Sequence, residues 1–300
     1  MNGPEDAPAE IARASQSPLG RGGTVVPALF VLMWSSAFIA GVFGVSAAPP
    51  LLLVFARFAI AGVLLTLLAL VVGAPWPRGR ELGHVMVCGV LMQALQFGAF
   101  YTALDKGLPA AMVAMLQGLN PIAVALLSGS MLGERLDGRH WLGFGLGAAG
   151  VLLAVFERIG FAPSGVILCL LGLAGLSLGT VYQKRFAPHM NVMSGTAVHF
   201  LISAPVVAAA MLLLETPRVT AWGPFATSLA WMVLVNSVGA FLLLNTMLRR
   251  SAASRVSTLF FLTPSVTAVL AWLLVGQALQ PAAVFGLALS GVGVHLATRR

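Results

Sequence analysis

Residues 109–154 of the chain read PAAMVAMLQGLNPIAVALLSGSMLGERLDGRHWLGFGLGAAGVLLA, and residues 252–297 read AASRVSTLFFLTPSVTAVLAWLLVGQALQPAAVFGLALSGVGVHLA. Aligned without a gap, the two stretches are identical at 15 of 46 positions, among them one proline position and three glycine positions. The same shift of 143 residues also brings the preceding apolar segments into register. The chain is therefore predicted to consist of two similar halves, residues 23–156 and 163–298.

The composition of the chain excludes a water-soluble fold. Of its 300 residues, 59% are hydrophobic and only 9% are charged, whereas a soluble domain carries roughly 25% charged residues. Because about 20 apolar residues cross a bilayer as a helix, we predict an all-α integral membrane protein. Ten such segments are found: 24–43, 50–73, 82–104, 109–131, 139–156, 163–183, 192–214, 225–247, 252–275 and 281–298.

The basic residues predict how these ten helices are oriented. Thirteen lysines and arginines fall at one set of helix boundaries, and only Lys106, Arg158 and Arg218 fall at the other. By the positive-inside rule the richer side is cytoplasmic. Both termini then lie inside, and residues 1–22 form a disordered cytoplasmic tail. The net charge of +8 is thus a topology signal, and no nucleic-acid partner is expected.

Five helices in each half have a further consequence. The second half must enter the membrane from the opposite side, so the ten transmembrane helices form two inverted five-helix repeats. Such repeats are typical of secondary transporters, which bind their substrate near the middle of the membrane between the repeats.

A known family shows the same order of short motifs. The sequence resembles the EamA-type members of the drug/metabolite transporter superfamily, and within it the YddG-like exporters of aromatic amino acids. The resemblance rests on Trp34-Ser35-Ser36-Ala37-Phe38, Pro50, Arg57-Phe58, Asn120-Pro121, Leu132-Gly133-Glu134, Leu142-Gly143, Gly150-Val151, Thr263-Pro264, Gly276 and Gly286. It departs from the family at Gln277, where glutamate is usual. The resemblance implies a bacterial inner-membrane transporter that exports small amphiphilic metabolites, with amino acids favoured.

Two pairs of polar residues mark a candidate substrate site. Gln93 and Asn236 are 143 residues apart, as are Asn120 and Thr263, and each lies at the middle of its predicted helix. Polar side chains at that depth face protein or a water-filled cavity and are often functional. The alternative is that they only hold helices together through interhelical hydrogen bonds.

The other candidates lie on the same predicted helices. Pro121 and Pro264 should kink spans 4 and 9 and release the carbonyls of Gln117 and Phe260, which provides either hinges or static bends. Further substrate-binding candidates are Trp34, Ser35, Phe38, Phe97, Tyr101, Gln117, Ser177 and Tyr182. Phe97 and Tyr101 continue the face of Gln93, although they could equally form a packing stripe.

Arg57 and His199 are titratable residues within the predicted spans. Arg57 could bind a substrate carboxylate, cap helix carbonyls, or extend to the interface and meet Asp105 or Glu215. His199 could titrate near neutral pH or simply hydrogen-bond a carbonyl. Because no aspartate or glutamate lies inside a span, carboxylate-based proton coupling is disfavoured, and facilitated export or exchange is expected.

Other classes of protein fit the sequence less well. Gly175-Leu176-Ser177-Leu178-Gly179 matches the G-x-S-x-G pattern of serine hydrolases, but that motif requires a strand-to-helix turn. The five histidines and two cysteines form no metal-ligand set, so no cofactor is expected. Export of drugs or other metabolites by the same fold stays open. Glycine-rich faces in spans 5 and 10 allow a monomer or a homodimer.

Overall fold

The computed structural model describes residues 25–133, 138–156 and 163–277, together with helical residues at 281, 284–285, 288–289 and 292. All regular structure in this part of the chain is helical, as predicted. Its long helices are Val25–Val45 (α1), Pro50–Val71 (α2), Gly79–Asp105 (α3), Ala110–Leu132 (α4), Gly138–Phe156 (α5), Pro163–Phe186 (α6), Val192–Leu214 (α7), Trp222–Arg250 (α8) and Ala253–Val275 (α9).

Eight of these helices, all except α5, are long and apolar enough to cross a membrane. The multi-pass membrane class is therefore confirmed. Helices α1 to α9 correspond in order to the first nine predicted spans. Except for the few helical residues at 281–292, the tenth span lies outside the described residues, as does the predicted tail at 1–22, so both stay predictions.

Proline and glycine set several helix boundaries. Pro50 begins α2, where the absence of an N–H is harmless because that position has no intrahelical partner. Helices α4 and α9 end at Gly133 and Gly276, whose φ angles are +68° and +70°. Only glycine adopts this left-handed conformation without a steric penalty. The two caps are 143 residues apart, so both halves end their fourth helix in the same way.

Four helices are irregular at their centres, again in equivalent pairs. Helices α3 and α8 contain π-helical segments at Val90–Leu95 and Met232–Ala240. Helix α4 is interrupted at residues 118–119 and restarts at Asn120. Helix α9 passes through a 3₁₀ turn, Thr258–Phe261, and restarts at Thr263. Because π-bulges are rare and cluster at functional sites, this region of the fold is the candidate site.

Helix packing between the halves is reciprocal. Helix α1 packs against α8 and α9 of the second half, and α6 packs against α3 and α4 of the first. Helix α3 meets α7, α8 meets α2, and α2 and α7 share an extensive interface. Under the 143-residue shift each of these contacts maps onto another of the set or onto itself. Such an isologous pattern is what a two-fold relation between the halves requires.

Small residues let α6 approach α3 closely. A Cβ atom at Gly175 would lie 2.7 Å from the carbonyl oxygen of Leu91, and one at Gly172 would meet the ring of Phe100. A Cβ atom at Gly179 would likewise meet the side chain of Met92. The glycines of the G-x-S-x-G sequence are therefore packing residues within a continuous helix. The strand-to-helix turn that a serine nucleophile needs is absent from this segment.

Candidate substrate site

Three consecutive side chains of α1 connect it to three other helices. Trp34 Nε1 donates to Gln117 Oε1 on α4 at 3.2 Å, and Ser35 Oγ donates to the carbonyl oxygen of Thr263 on α9 at 3.3 Å. Ser36 Oγ accepts from Asn236 Nδ2 on α8 at 3.3 Å. Successive helical residues point about 100° apart, so one turn of α1 can reach three neighbours. We call Trp34, Ser35 and Ser36 the α1 junction.

A buried aromatic cluster surrounds Trp34. Its ring centroid lies 5.0 Å from that of Phe260, 5.2 Å from Phe241 and 6.1 Å from Phe97. These spacings are those of favourable tilted and edge-to-face ring pairs. The α1 junction therefore adjoins an apolar region that suits an aromatic or aliphatic side chain.

Many buried polar atoms near the helix centres have no hydrogen-bond partner within the described residues. They include both amide atoms of Gln93 and of Gln96, Gln117 Nε2, Asn120 Nδ2, Asn236 Oδ1 and Thr263 Oγ1. An unsatisfied buried polar group typically costs about 1–3 kcal/mol, so native proteins keep few of them. Their concentration around irregular helix segments indicates a polar lining that can hydrogen-bond a substrate.

Serines on α6 and α1, one position apart in the repeat, join the fourth helices of the two halves to this region. Ser177 Oγ on α6 donates to Asn120 Oδ1 on α4 at 2.8 Å, as Ser35 on α1 donates to Thr263 on α9. Thr263 is the repeat equivalent of Asn120, and Ser177 is that of Trp34. Both bonds lie next to the interruptions that precede Pro121 and Pro264. A hinge role for these prolines stays a prediction.

Most of the predicted site residues come together, but Tyr182 and Phe38 lie apart, and Gln93 is buried without a hydrogen bond to any described residue. Gln117 joins Trp34 directly, and Asn236 bonds the α1 junction. Tyr182 instead contacts α3 near its beginning, where the Tyr182 hydroxyl lies 2.8 Å from His84 Nδ1. Phe38 is buried beside Phe100, with ring centroids 6.3 Å apart. Within the described residues, the rings of Tyr182 and Phe38 pair with other aromatic groups and not with Trp34 or the rings around it.

Arg57 is the buried charge at this site. Its guanidinium is fully buried, and Cζ lies 4.2 Å from the ring centroid of Phe97. It does not extend to the interface to meet Asp105 or Glu215. Glu215 instead accepts hydrogen bonds from the backbone N–H of Leu51 at 2.9 Å and of Leu52 at 3.2 Å. The carboxylate thereby caps the start of α2, where a negative charge is favoured by the helix dipole.

A separate groove opens at the helix ends near Glu215. Its volume is about 930 Å³, and it is lined by Ala94, Gly98, Asp105 and Leu214 among others. Partial burial raises the pKa of Glu215 above its usual range, the two backbone hydrogen bonds oppose that shift, and the charge of Asp105 adds to it. The groove is a candidate vestibule at the end of the bundle where α3 and α7 finish.

A buried polar chain joins α6, α7 and α8 near the opposite end of the bundle. Gln183 Nε2 donates to Asn245 Oδ1 at 3.0 Å, and Asn245 Nδ2 donates to Thr196 Oγ1 at 2.7 Å. All three side chains are buried. Because each link spans two helices, the chain holds these helix ends together.

Sequence reasoning missed Phe241 as a member of the site. In a regular α-helix a residue five positions after Asn236 points about 140° away from it. In the structure both residues face α1, Asn236 through Ser36 and Phe241 through Trp34. The i→i+5 geometry of the π segment brings such positions onto one side. An aromatic residue shortly after a mid-span polar residue was the available signal.

Comparison with known proteins fits this architecture. The model of the EamA-like transporter family matches the chain twice, over residues 23–156 and 163–299. The chain belongs to the EamA-like transporter family. This EamA-like transporter therefore carries its family domain in two copies, and membership in that family indicates a transporter and not an enzyme.

Several relatives cover most of this EamA-like transporter. It is 26% identical over 258 residues to YedA, an uncharacterised inner-membrane transporter of Escherichia coli, covering 84% of this chain and 83% of the relative. It is 25% identical over 290 residues to a probable amino-acid metabolite efflux pump of Escherichia coli, covering 93% and 95%. It is 28% identical over 279 residues to a probable terminal-alkyne amino-acid exporter of Streptantibioticus cattleyicolor, covering 91% and 92%.

A solved crystal structure shares the fold. Its TM-score to this chain is 0.72, with 23% sequence identity, and the match covers 92% of this chain and 96% of that one. At this identity the likeness supports the helical architecture alone.

Proposed function

We propose that the protein is a secondary transporter that exports or exchanges small amphiphilic metabolites, and that its substrates are amino acids, aromatic ones above all. Two relatives are named for amino-acid efflux or export, and the sequence resembles YddG-like aromatic amino acid exporters. The observation that carries the proposal is the buried polar lining beside the aromatic cluster of Trp34. Amide and hydroxyl groups suit the polar end of an amino acid, and the rings suit its side chain.

The proposed mechanism is alternating access. The reciprocal packing of the halves is what inverted repeats need in order to rock around a fixed central site. The fourth helix of each half contacts the site next to its own interruption. The interruptions before Pro121 and Pro264 would absorb the change in backbone conformation as the halves rock. Substrate would bind the α1 junction from one side and leave towards the other.

The proposal includes an inner-membrane location and transport without proton coupling. YedA is named as an inner-membrane transporter, and the positive-inside distribution supports a cytoplasmic location for both termini of this chain. The carboxylates of the sequence lie at helix ends, loops or the tail, so transport down the substrate's own gradient is the proposed mode. The functional unit is a monomer or a homodimer.

Counterflow in proteoliposomes tests this function. Vesicles preloaded with unlabelled phenylalanine should accelerate uptake of labelled phenylalanine if the protein is a carrier, whereas a simple pore shows no such acceleration. Gln93→Ala and Asn236→Ala should each raise the half-saturating concentration about tenfold, since about 1.4 kcal/mol of lost hydrogen bonding corresponds to that factor.

Ser130→Ala is the matched control for these variants. Ser130 is exposed, and its hydroxyl bonds only carbonyls of its own helix, so counterflow should be unchanged. Exchange that survives both amide substitutions would overturn the site. Lack of exchange with every amino acid would overturn the substrate class and favour another metabolite or a drug.

A further inference from the structure

Arg57 is held in the membrane interior with part of its guanidinium unused. Its Nε donates to Ser237 Oγ on α8 at 2.8 Å, and its Nη1 donates to the Tyr101 hydroxyl on α3 at 3.1 Å. Tyr101 in turn donates to the carbonyl oxygen of Ala37 at 3.2 Å. Nη2 is buried and has no hydrogen-bond partner within the described residues. The side chain is therefore fixed in place with one donor group left over.

Both protein partners of Arg57 are neutral hydroxyl groups. In the part of the chain that the structure describes, Arg57 contacts no carboxylate. A buried charge is normally paired with an opposite charge, because neutral hydrogen bonds replace only part of its hydration. The planar guanidinium matches carboxylate and phosphate groups and binds them with paired N–H donors.

The free end of Arg57 adjoins the proposed substrate site. Its Cζ atom lies over the ring of Phe97, and Phe97 contacts both Trp34 and Phe241. Its partner Ser237 directly follows Asn236, whose Oδ1 is a buried acceptor without a partner among the described residues. A free cationic donor, a free neutral acceptor and an aromatic cluster thus share one region.

We propose that Arg57 Nη2 binds the carboxylate of the transported substrate, while Asn236 Oδ1 accepts from its ammonium group and the aromatic cluster holds its side chain. This inference rests on the proposed function and narrows it to carboxylate-bearing substrates. It assigns zwitterion recognition to one charged group and one neutral amide. An embedded acid is not needed to recognise the ammonium group, because a neutral amide oxygen can accept from it.

The competing role for Arg57 is a brace between α2, α3 and α8. A brace would affect stability equally with any substrate, whereas a carboxylate anchor decides which substrates bind. The deciding readout is therefore the preference for phenylalanine over phenylalaninamide, which keeps the ring and the amino group but lacks the carboxylate. Ser237→Ala removes one bracing bond but leaves Nη2 in place, so it is the matched control.

Binding to the purified protein is measured by substrate-induced thermal stabilisation over a range of ligand concentrations, since a ligand of the folded state raises Tm by an amount that grows with the ratio of its concentration to its Kd. Phenylalanine should bind the wild-type protein at least tenfold more tightly than phenylalaninamide. Arg57→Gln should bring this ratio close to one, Arg57→Lys should keep part of it, and Ser237→Ala should keep most of it. A ratio that persists in Arg57→Gln, or disappears equally in Ser237→Ala, would overturn the anchor.

A wild-type panel decides the question even where Arg57→Gln fails to fold. It comprises phenylalanine, phenylalaninamide, phenethylamine and 3-phenylpropionate. Binding of the amide or the amine as tightly as phenylalanine would overturn the anchor while leaving a transporter of amines. Binding of 3-phenylpropionate without phenylalanine would keep the anchor and overturn amino acids as the substrate class. Failure of all four compounds to bind would overturn both proposals.

Discussion

The crossing of α3 and α7 predicts opposite effects for two glycine substitutions on the same helix. A Cβ atom at Gly89 would lie 2.6 Å from the Cα of His199 and 2.8 Å from its carbonyl oxygen. Both are backbone atoms, so no side-chain rotation can relieve the contact. Ser203 Oγ also donates to the carbonyl of Gly89 at 2.9 Å across this crossing. By contrast, a Cβ atom at Gly83 meets nothing within 4 Å.

The magnitude follows from these distances. Restoring a carbon–carbon separation of about 3.5 Å would require α3 and α7 to move apart by about 1 Å at Gly89. Overpacking of this kind typically costs about 1–3 kcal/mol. Replacing glycine by alanine within a helix gains up to about 1 kcal/mol at either position. Because that gain is common to both variants, Gly89→Ala should be less stable than Gly83→Ala by about 1–3 kcal/mol.

Equilibrium unfolding of the purified protein in mixed detergent measures this difference. Intrinsic tryptophan fluorescence follows the transition, and the free energies of unfolding of the two variants are compared with that of the wild type. Gly83→Ala should be as stable as the wild type or slightly more stable. Equal stability of Gly89→Ala and Gly83→Ala would refute the close crossing of α3 and α7.

Two further predictions concern the ends of the bundle. Because the pKa of Glu215 is raised in the folded state, the unfolded chain releases this proton first as pH rises above about 4.5. The stability of the wild-type protein relative to Glu215→Gln should therefore fall as pH rises from about 4.5 to the folded pKa of Glu215, and then level off. Asp105→Asn should narrow this pH range, because it removes a charge that raises the pKa of Glu215. A Tm difference between the wild type and Glu215→Gln that stays constant with pH would contradict this. Asn245→Leu removes the acceptor of the buried Gln183 Nε2 and the donor to Thr196 Oγ1, and it should lower the free energy of unfolding by about 1–3 kcal/mol. The control is Thr246→Val, because the Thr246 hydroxyl bonds only a carbonyl of its own helix. This variant should change the free energy of unfolding by less than about 0.5 kcal/mol. Similar losses of stability in Asn245→Leu and Thr246→Val would refute a linking role for Asn245.

The sequence predicts the helical architecture well, because helix length and order depend on hydrophobicity and on the internal repeat. Apolar runs of membrane-crossing length and a repeat of 143 residues define the helices and their correspondence. Pro50, Gly133 and Gly276 begin or end helices where backbone chemistry requires these residues. The predicted second span, residues 50–73, and the observed Pro50–Val71 differ by two residues at one end.

The local geometry of the site is less accessible from sequence. The π segments around Gln93 and Asn236 follow from how α3 and α8 pack, and an i→i+5 bond leaves no compositional signature. Ordinary helical spacing would therefore point Phe241 away from Asn236. Arg57 illustrates a second limit, because its partners Ser237 and Tyr101 lie 180 and 44 residues away. Such contacts depend on the tertiary fold and cannot be read from local periodicity.

The central claim is that the α1 junction is reached alternately from the two sides of the membrane. Ser35 is buried at this junction, and Ser35→Cys is nearly isosteric, so it can report access after Cys88 and Cys169 are replaced by alanine. In vesicles of either orientation, a membrane-impermeant maleimide should label this cysteine, and saturating phenylalanine should slow the labelling. Labelling from one side only, or at a rate that phenylalanine leaves unchanged, would contradict alternating access to a substrate site at the α1 junction.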